Sequence, residues 1–159
     1  MAIVGGLLDF DTYDDRIKDS LKIAKQRKIK IKFIEEEAIT YHPNTVKITM
    51  GDDKEEMEIA GISIGGGKIE IVELNGFVLR LSGHNPAILV VHNDRYGAIA
   101  NVSNVLARYQ INIGQMDVSR KEKGKVALMT IEVDQYIDQT ILDEIAALQN
   151  IIQVSRIVD

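Results

Sequence analysis

From Ala87 onward the apolar residues switch between unbroken runs, a helical period and a period of two, and few folds accept that succession. Ala87 to Val91 is wholly apolar and reads as a central strand. His92-Asn93-Asp94-Arg95-Tyr96-Gly97 is a polar turn. Ile99, Val102, Val105 or Leu106, and Tyr109 then form the stripe of an amphipathic helix. Asn112 and Gly114 turn the chain into a strand carrying Ile113, Met116 and Val118, with a local irregularity. Lys121-Glu122-Lys123-Gly124 closes a hairpin onto Val126 to Val133. Ile137, Ile141, Leu142, Ile145 and Leu148 pack a second helix, and Ile151, Ile152, Val154, Ile157 and Val158 a last strand. The order β-α-β-β-α-β closes an antiparallel sheet with two helices on one face, a ferredoxin-like unit. Such units serve many functions, so residue detail has to decide the function.

The upstream half has more strand than helix. Ala2-Ile3-Val4-Gly5-Gly6 reads either as an edge strand or as the end of an element that begins elsewhere. Asp11 or Thr12 is placed to cap a helix whose face is Ile17, Leu21 and Ala24, with Asp14 and Asp15 in its first turn. Lys22, Lys25, Arg27 and Lys28 form its solvated far end. Ile29, Ile31 and Phe33 alternate with lysines and predict a half-buried strand. Glu35-Glu36-Glu37 fits a wet loop, because no His or Asp at useful spacing supports metal or acid–base chemistry. After the His42-Pro43-Asn44 turn, Val46, Ile48 and Met50 share one face of a strand. Gly51-Asp52-Asp53 returns it through Met57, Ile59 and Gly61. Ser63-Ile64-Gly65-Gly66-Gly67 is either a bend between strands or a backbone site for a small ligand. It lacks the Lys-Ser/Thr pair of a phosphate loop. Ile69 and Ile71 lead to the hairpin turn Asn75-Gly76, and Phe77, Leu79 and Leu81 return. Ser82 to Asn85 is the linker, so the predicted organisation is α+β with a partial first domain, 1–82, and a second domain, 85–159.

Net charge is −5 among 159 residues, which does not favour nucleic acid. Ile113 to Val118 and Val126 to Val133 lack the strand aromatics an RNA-binding sheet would present. No apolar run approaches the about 18 residues of a membrane helix, and the N-terminus carries no secretion signal, so the expectation is a cytoplasmic protein without membrane contact. Cysteine is absent, which removes disulfides and thiolate-held metal clusters from this chain. His42, His84 and His92 are too dispersed for a metal site.

Two resemblances follow from these residues. Ala87 to Val133, with its closing helix and strand, resembles the ACT domain. That family's pattern is a strand, a polar pair, Arg-Pro-Gly, a helix and Asn-Ile; here the positions are Asn93-Asp94, Arg95-Tyr96-Gly97 and Asn112-Ile113, with Tyr96 in place of proline. The resemblance implies self-association and an amino-acid site at an interface between paired domains. Its residues would be Asn93, Asp94, Gly97, Asn112 and Ile113, with His92 and Arg95 as possible additional contacts. Asp94 would take the ammonium and Asn112 either polar group. A ligand-free ACT domain used only for dimerisation remains the alternative.

Over essentially the whole chain, the segments AIVGGLLDFDTYDDRIKDSLKIAKQRKIKIKFIEEEAITYHPNTVKITM, GISIGGGKIEIVELNGF and KGKVALMTIEVD resemble the beta chain of bacterial two-subunit, iron–sulfur L-serine dehydratases. Such chains join an allosteric-substrate-binding domain to a C-terminal ACT domain. The resemblance implies a non-catalytic subunit whose partner alpha chain holds a [4Fe-4S] cluster and converts L-serine to pyruvate and ammonia, so no catalytic residue and no bound cofactor is assigned here. Met1 stands directly before Ala-Ile-Val-Gly-Gly, where the family has a longer N-terminal portion. The alternatives are a free-standing amino-acid sensor and a regulatory fragment related to phosphoglycerate dehydrogenase.

Overall fold

The computed structural model describes residues 1–36, 40 and 42–157. Glu37 of the carboxylate triplet and Val158 of the closing strand lie outside the described residues. The chain forms two compact units, Met1–Ile39 and Thr40–Asp159, so the Ser82–Asn85 linker falls inside the second.

In the first unit, Ala2–Leu7 is a helix, α1, rather than an edge strand. Six residues cannot hold a helix in water by themselves, so burial stabilises it. Val4, Leu8, Phe10 and Ala24 form a small core with Ile17 and Ile23 against it. Gly5 permits the approach, since a Cβ there would stand 3.1 Å from Ile17 Cγ1. The cap is Asp14, whose side chain accepts from the Arg16 N–H at 2.8 Å, rather than Asp11 or Thr12. It opens a 3-10 turn, Asp15–Asp19, that runs into α2, Ser20–Gln26. Leu21 leaves the expected apolar face and is exposed. The strand predicted around Ile29, Ile31 and Phe33 does not form, and all three side chains are exposed. Alternation marks a face that a sheet would bury, but a strand also needs a neighbour for its backbone groups, and no described residue pairs with it.

The second unit contains two sheets. Sheet 1 is an antiparallel meander of β1 (Thr45–Gly51), β2 (Glu56–Gly65), β3 (Lys68–Leu74) and β4 (Phe77–Leu81). Its turns are built as the sequence suggests. The Asp52 carboxylate accepts from Lys54 N and Glu55 N in the first. Gly66 and Gly67 both have positive φ in the second, as do Asn75 and Gly76 in the third. The triple glycine is therefore a bend between strands: open space surrounds it, and the backbone conformation, not a close approach, requires glycine.

Sheet 2 contains β5 (Ala87–Asn93), β6 (Ile113–Arg120), β7 (Val126–Val133) and β8 (Ile151–Ile157) in the order β6-β7-β5-β8, all antiparallel. Helices α3 (Ala98–Arg108) and α4 (Gln139–Ala146) cover one face. This is the ferredoxin-like α+β architecture. Ile88, Val90, Met129 and Ile131 of the strands meet Val102, Leu106, Ile141 and Ile145 of the helices in the main core. Ile99 and Tyr109, assigned to the apolar stripe of α3, are instead partly exposed at its margins. On the opposite face, Ala87 and Leu128 pack against Leu79 and Leu81 of β4. That second layer explains why β7 is buried on both sides, down to Thr130 and Glu132. The Glu132 Oε1 atom accepts from both the Ser82 N–H, at 2.8 Å, and the Ser82 hydroxyl, at 2.9 Å. That carboxylate ties the linker to sheet 2.

Candidate functional site

The predicted site residues fall into two groups. The first lies where β5 ends. Gly97 opens α3 in the left-handed region, at φ 87°, so this position needs glycine even though proline is replaced by Tyr96 before it. Its carbonyl receives Asn101 N at 2.9 Å, and the Tyr96 side chain points wholly into solvent. Asn93 is exposed, with its N–H donated to the Asn150 carbonyl at 2.8 Å. His92 is buried at 2% exposure. Its Nδ1 stands 2.9 Å from the Asn93 carbonyl oxygen, which only accepts, so Nδ1 carries the proton. Its Nε2 is buried without a partner among the described residues.

Asp94 organises this end. Its N–H donates to the Lys125 carbonyl at 2.8 Å. Its Oδ2 accepts from Gly124 N at 2.8 Å and from Arg120 Nη1 at 3.0 Å. The Gly124 N–H and then the Arg120 guanidinium hold the Asp94 carboxyl below the usual carboxylate range. Arg95 Nη1 reaches the carbonyls of Asp94, at 3.2 Å, and Gly124, at 3.0 Å. The β5–α3 turn is thus clasped to the β6–β7 hairpin. With Lys121, Lys123 and Lys125 on or beside that hairpin, this end is cationic in a chain that is acidic as a whole.

The second group lies where β6 begins. Asn112 N donates to Gln135 Oε1 at 2.7 Å, and Asn112 Nδ2 to Asp134 Oδ2 at 2.5 Å. Asp134 N returns to the Asn112 carbonyl at 3.2 Å. Gly114 lies beside the same carboxylate, and Ile113 is half-buried at the margin of the core.

One chain does not bring the two groups together. Asn93 pairs with Val126 and Ile113 with Val133, the opposite ends of the eight-residue β7. At about 3.3 Å per residue the ends stand about 23 Å apart. Chain reversal makes this unavoidable: β5 and β6 run parallel on either side of β7, so the end of one is far from the start of the other.

Sequence reasoning missed Arg120 and Gly124 beside Asp94, and Asp134 and Gln135 beside Asn112. These contacts join residues 22 to 30 positions apart, so no short motif announces them. The available signal was topological: the register of β5, β6 and β7 places each pair at one end of the sheet.

Comparisons with known proteins bear on the same region and beyond it. The family model described as an AHAS small subunit-like ACT domain matches residues 88–153. A Bacillus subtilis protein described as a probable L-serine dehydratase, beta chain, is 64% identical over 159 residues, covering 100% of this chain and 72% of that protein. The L-serine dehydratase beta chain of Peptoniphilus asaccharolyticus is 33% identical over 150 residues, 93% of this chain and 68% of that one. A D-3-phosphoglycerate dehydrogenase of Methanocaldococcus jannaschii is 32% identical over 114 residues, 72% of this chain but only 22% of that enzyme.

Proposed function

The chain belongs to the family of L-serine dehydratase beta chains, and from that premise we propose that it serves as the regulatory and assembly subunit of an enzyme converting L-serine to pyruvate and ammonia. The observation that carries this reading is the 64% identity over an alignment that spans the whole chain, upstream half included. The phosphoglycerate dehydrogenase relationship is confined to a small share of that enzyme and fits a shared regulatory region.

The catalytic partner is an alpha chain, in keeping with the word beta in the relatives' names. The residues of this chain do not fit an iron–sulfur cluster, because it contains no cysteine to supply thiolates. The [4Fe-4S] group and the lyase chemistry therefore belong to the alpha chain. Residues 85–159 act as the ACT domain and residues 1–82 belong to an allosteric-substrate-binding domain, in a cytoplasmic assembly.

The amino-acid site is shared between two copies. Asn93, Asp94 and Gly97 of one copy face Asn112 and Ile113 of the other, which resolves the separation of about 23 Å along β7. Asp94 stays ionised at neutral pH because its neighbours favour the carboxylate, and it takes the ligand ammonium through Oδ1 while Oδ2 keeps the hairpin. Asn112 orients the zwitterion, and the cationic hairpin end attracts its carboxylate. His92 Nε2, buried and without a partner among the described residues, and Arg95 are secondary contacts.

The test of the subunit reading is reconstitution. The purified chain alone forms no pyruvate from L-serine; added to the alpha chain it co-elutes and changes how the activity depends on L-serine concentration. Failure to associate with the alpha chain refutes the subunit reading.

A further inference from the structure

The face of sheet 2 that carries no helix is turned toward β4, and it holds a polar group with nothing to meet. Directly paired residues of neighbouring strands share a face, so Thr130 lies with Asp117 and Leu89, and Leu128 with Ser119. Leu128 packs against Leu79 and Leu81, and alternate residues of β7 point the same way, so all of these lie on the β4 side. Two buried polar side chains of β7 are among them. Glu132 is satisfied by Ser82. Thr130, 2% exposed, is not: its Oγ1 is buried without a partner among the described residues. Buried hydroxyls are ordinarily paired, so this one calls for a partner from outside the chain.

A cavity of about 280 Å³ lies beside it, between Val78, Leu79 and Arg80 of β4 and Asp117, Val118 and Ser119 of β6. One water needs only about 10–15 Å³ of such space, so the cavity exceeds a bridging water many-fold. It is still small for a ligand site. Its walls carry both signs. Asp117 Oδ2 accepts from Gln115 Nε2 at 2.7 Å, which leaves Oδ1. Arg80 places Nη2 on Glu70, at 3.2 Å, and with its side chain 68% exposed it stands at the mouth. Val78, Leu79 and Val118 supply apolar wall between the charges.

A carboxylate beside a free hydroxyl suits an ammonium group, and a guanidinium at the mouth suits a carboxylate. The small volume between them leaves room for a short side chain only. We propose that the cleft between β4 and β6 binds a small α-amino acid, with its ammonium on Asp117 and Thr130 and its carboxylate toward Arg80. This site shares no residue with the one built from Asn93, Asp94, Gly97, Asn112 and Ile113, and it stands or falls separately from it.

Methyl NMR of the 159-residue chain, titrated separately with glycine, L-alanine and L-serine, tests it. At least one of the three should shift the Thr130, Leu79 and Val118 methyl resonances saturably. The shifts should persist in Asn112→Ala, which alters only the other site, and Asp117→Asn should weaken the binding by about tenfold or more. Thr130→Val keeps the shape of the side chain. It should weaken binding, read at Leu79 and Val118, yet leave the urea midpoint of the ligand-free chain unchanged or higher, because the hydroxyl it removes is unpaired. No shift with any of the three, shifts that vanish in Asn112→Ala or survive undiminished in Asp117→Asn, or the same shifts with ammonium chloride alone overturn the proposal. So does a lowered midpoint in Thr130→Val, which would show that the hydroxyl already has its partner.

Discussion

Replacing Ser82 by Ala should destabilise the second unit measurably, although Ser82 lies in a linker and is only half-buried. Its N–H and its hydroxyl converge on one oxygen of Glu132, at 2.8 and 2.9 Å, and Glu132 is itself 6% exposed. Hydrogen bonds to a charged group contribute about 1.5–3 kcal/mol, and a buried acceptor that loses a donor recovers little from water. Ser82→Ala removes the hydroxyl and keeps the N–H, so the expected loss is at the low end, about 1–2 kcal/mol. In a domain of this size that lowers Tm by about 3–8 °C. Urea unfolding provides the assay, with a lowered midpoint at unchanged slope as the sign of lost stability rather than altered compactness. A double-mutant cycle with Glu132→Met, which removes the acceptor at similar length, isolates the pair, and the coupling should reach about 1 kcal/mol. A Ser82→Ala loss below about 0.3 kcal/mol, or strict additivity of the two substitutions, would show that the linker is not held by Glu132 and refute the reasoning.

Other consequences are as direct. Met129 is fully buried between strands and helices, so Met129→Ala should cost about 2–5 kcal/mol in urea unfolding; a loss under about 1 kcal/mol would mean the main core is loosely packed. Gly66 has φ 63° with nothing near its missing Cβ, so Gly66→Ala should cost about 1–2 kcal/mol from conformation alone and Gly66→Asn less; equal losses would contradict that origin. The Asp94 carboxyl lies below the ordinary carboxylate range in the folded chain. Its contribution is therefore present above the unfolded-state value and disappears as pH falls through the lower folded one. The Gly124 amide resonance should accordingly titrate with a midpoint below 3.8; a midpoint at or above that value would mean the clasp is absent in solution.

Sheet 2 is legible because most of its local signals agree with the fold, Ile99 and Tyr109 at the margins of the α3 stripe excepted. The unbroken apolar run Ala87–Val91 is a central strand, and the stripe through Val102 and Leu106 faces the core. The Asn75-Gly76 and glycine-rich turns of sheet 1 are equally plain, since positive φ restricts the choice of residue. Where the local signal needed a distant partner, the sequence was ambiguous. The alternation around Ile29 to Phe33 names a face but no neighbouring strand. Ala2 to Leu7 is too short for its period to separate strand from helix, and its burial with Ala24 decides in favour of helix. Asn93, Asp94, Gly97 and Asn112 stand out as polar or glycine positions at the ends of apolar strands. That they lie at opposite ends of one sheet follows only from the register of β7.

The proposal that two copies share an amino-acid site is tested most directly by calorimetric titration of L-serine into the chain, the Asp94→Asn variant, the Asn112→Ala variant and an equal mixture of the two variants. A site built across two copies predicts saturable binding to the unaltered chain, a loss of about tenfold or more in each variant alone, and partial recovery in the mixture, where one interface of a mixed pair keeps both intact halves. No heat with the unaltered chain, or a mixture as weak as its components, would contradict it.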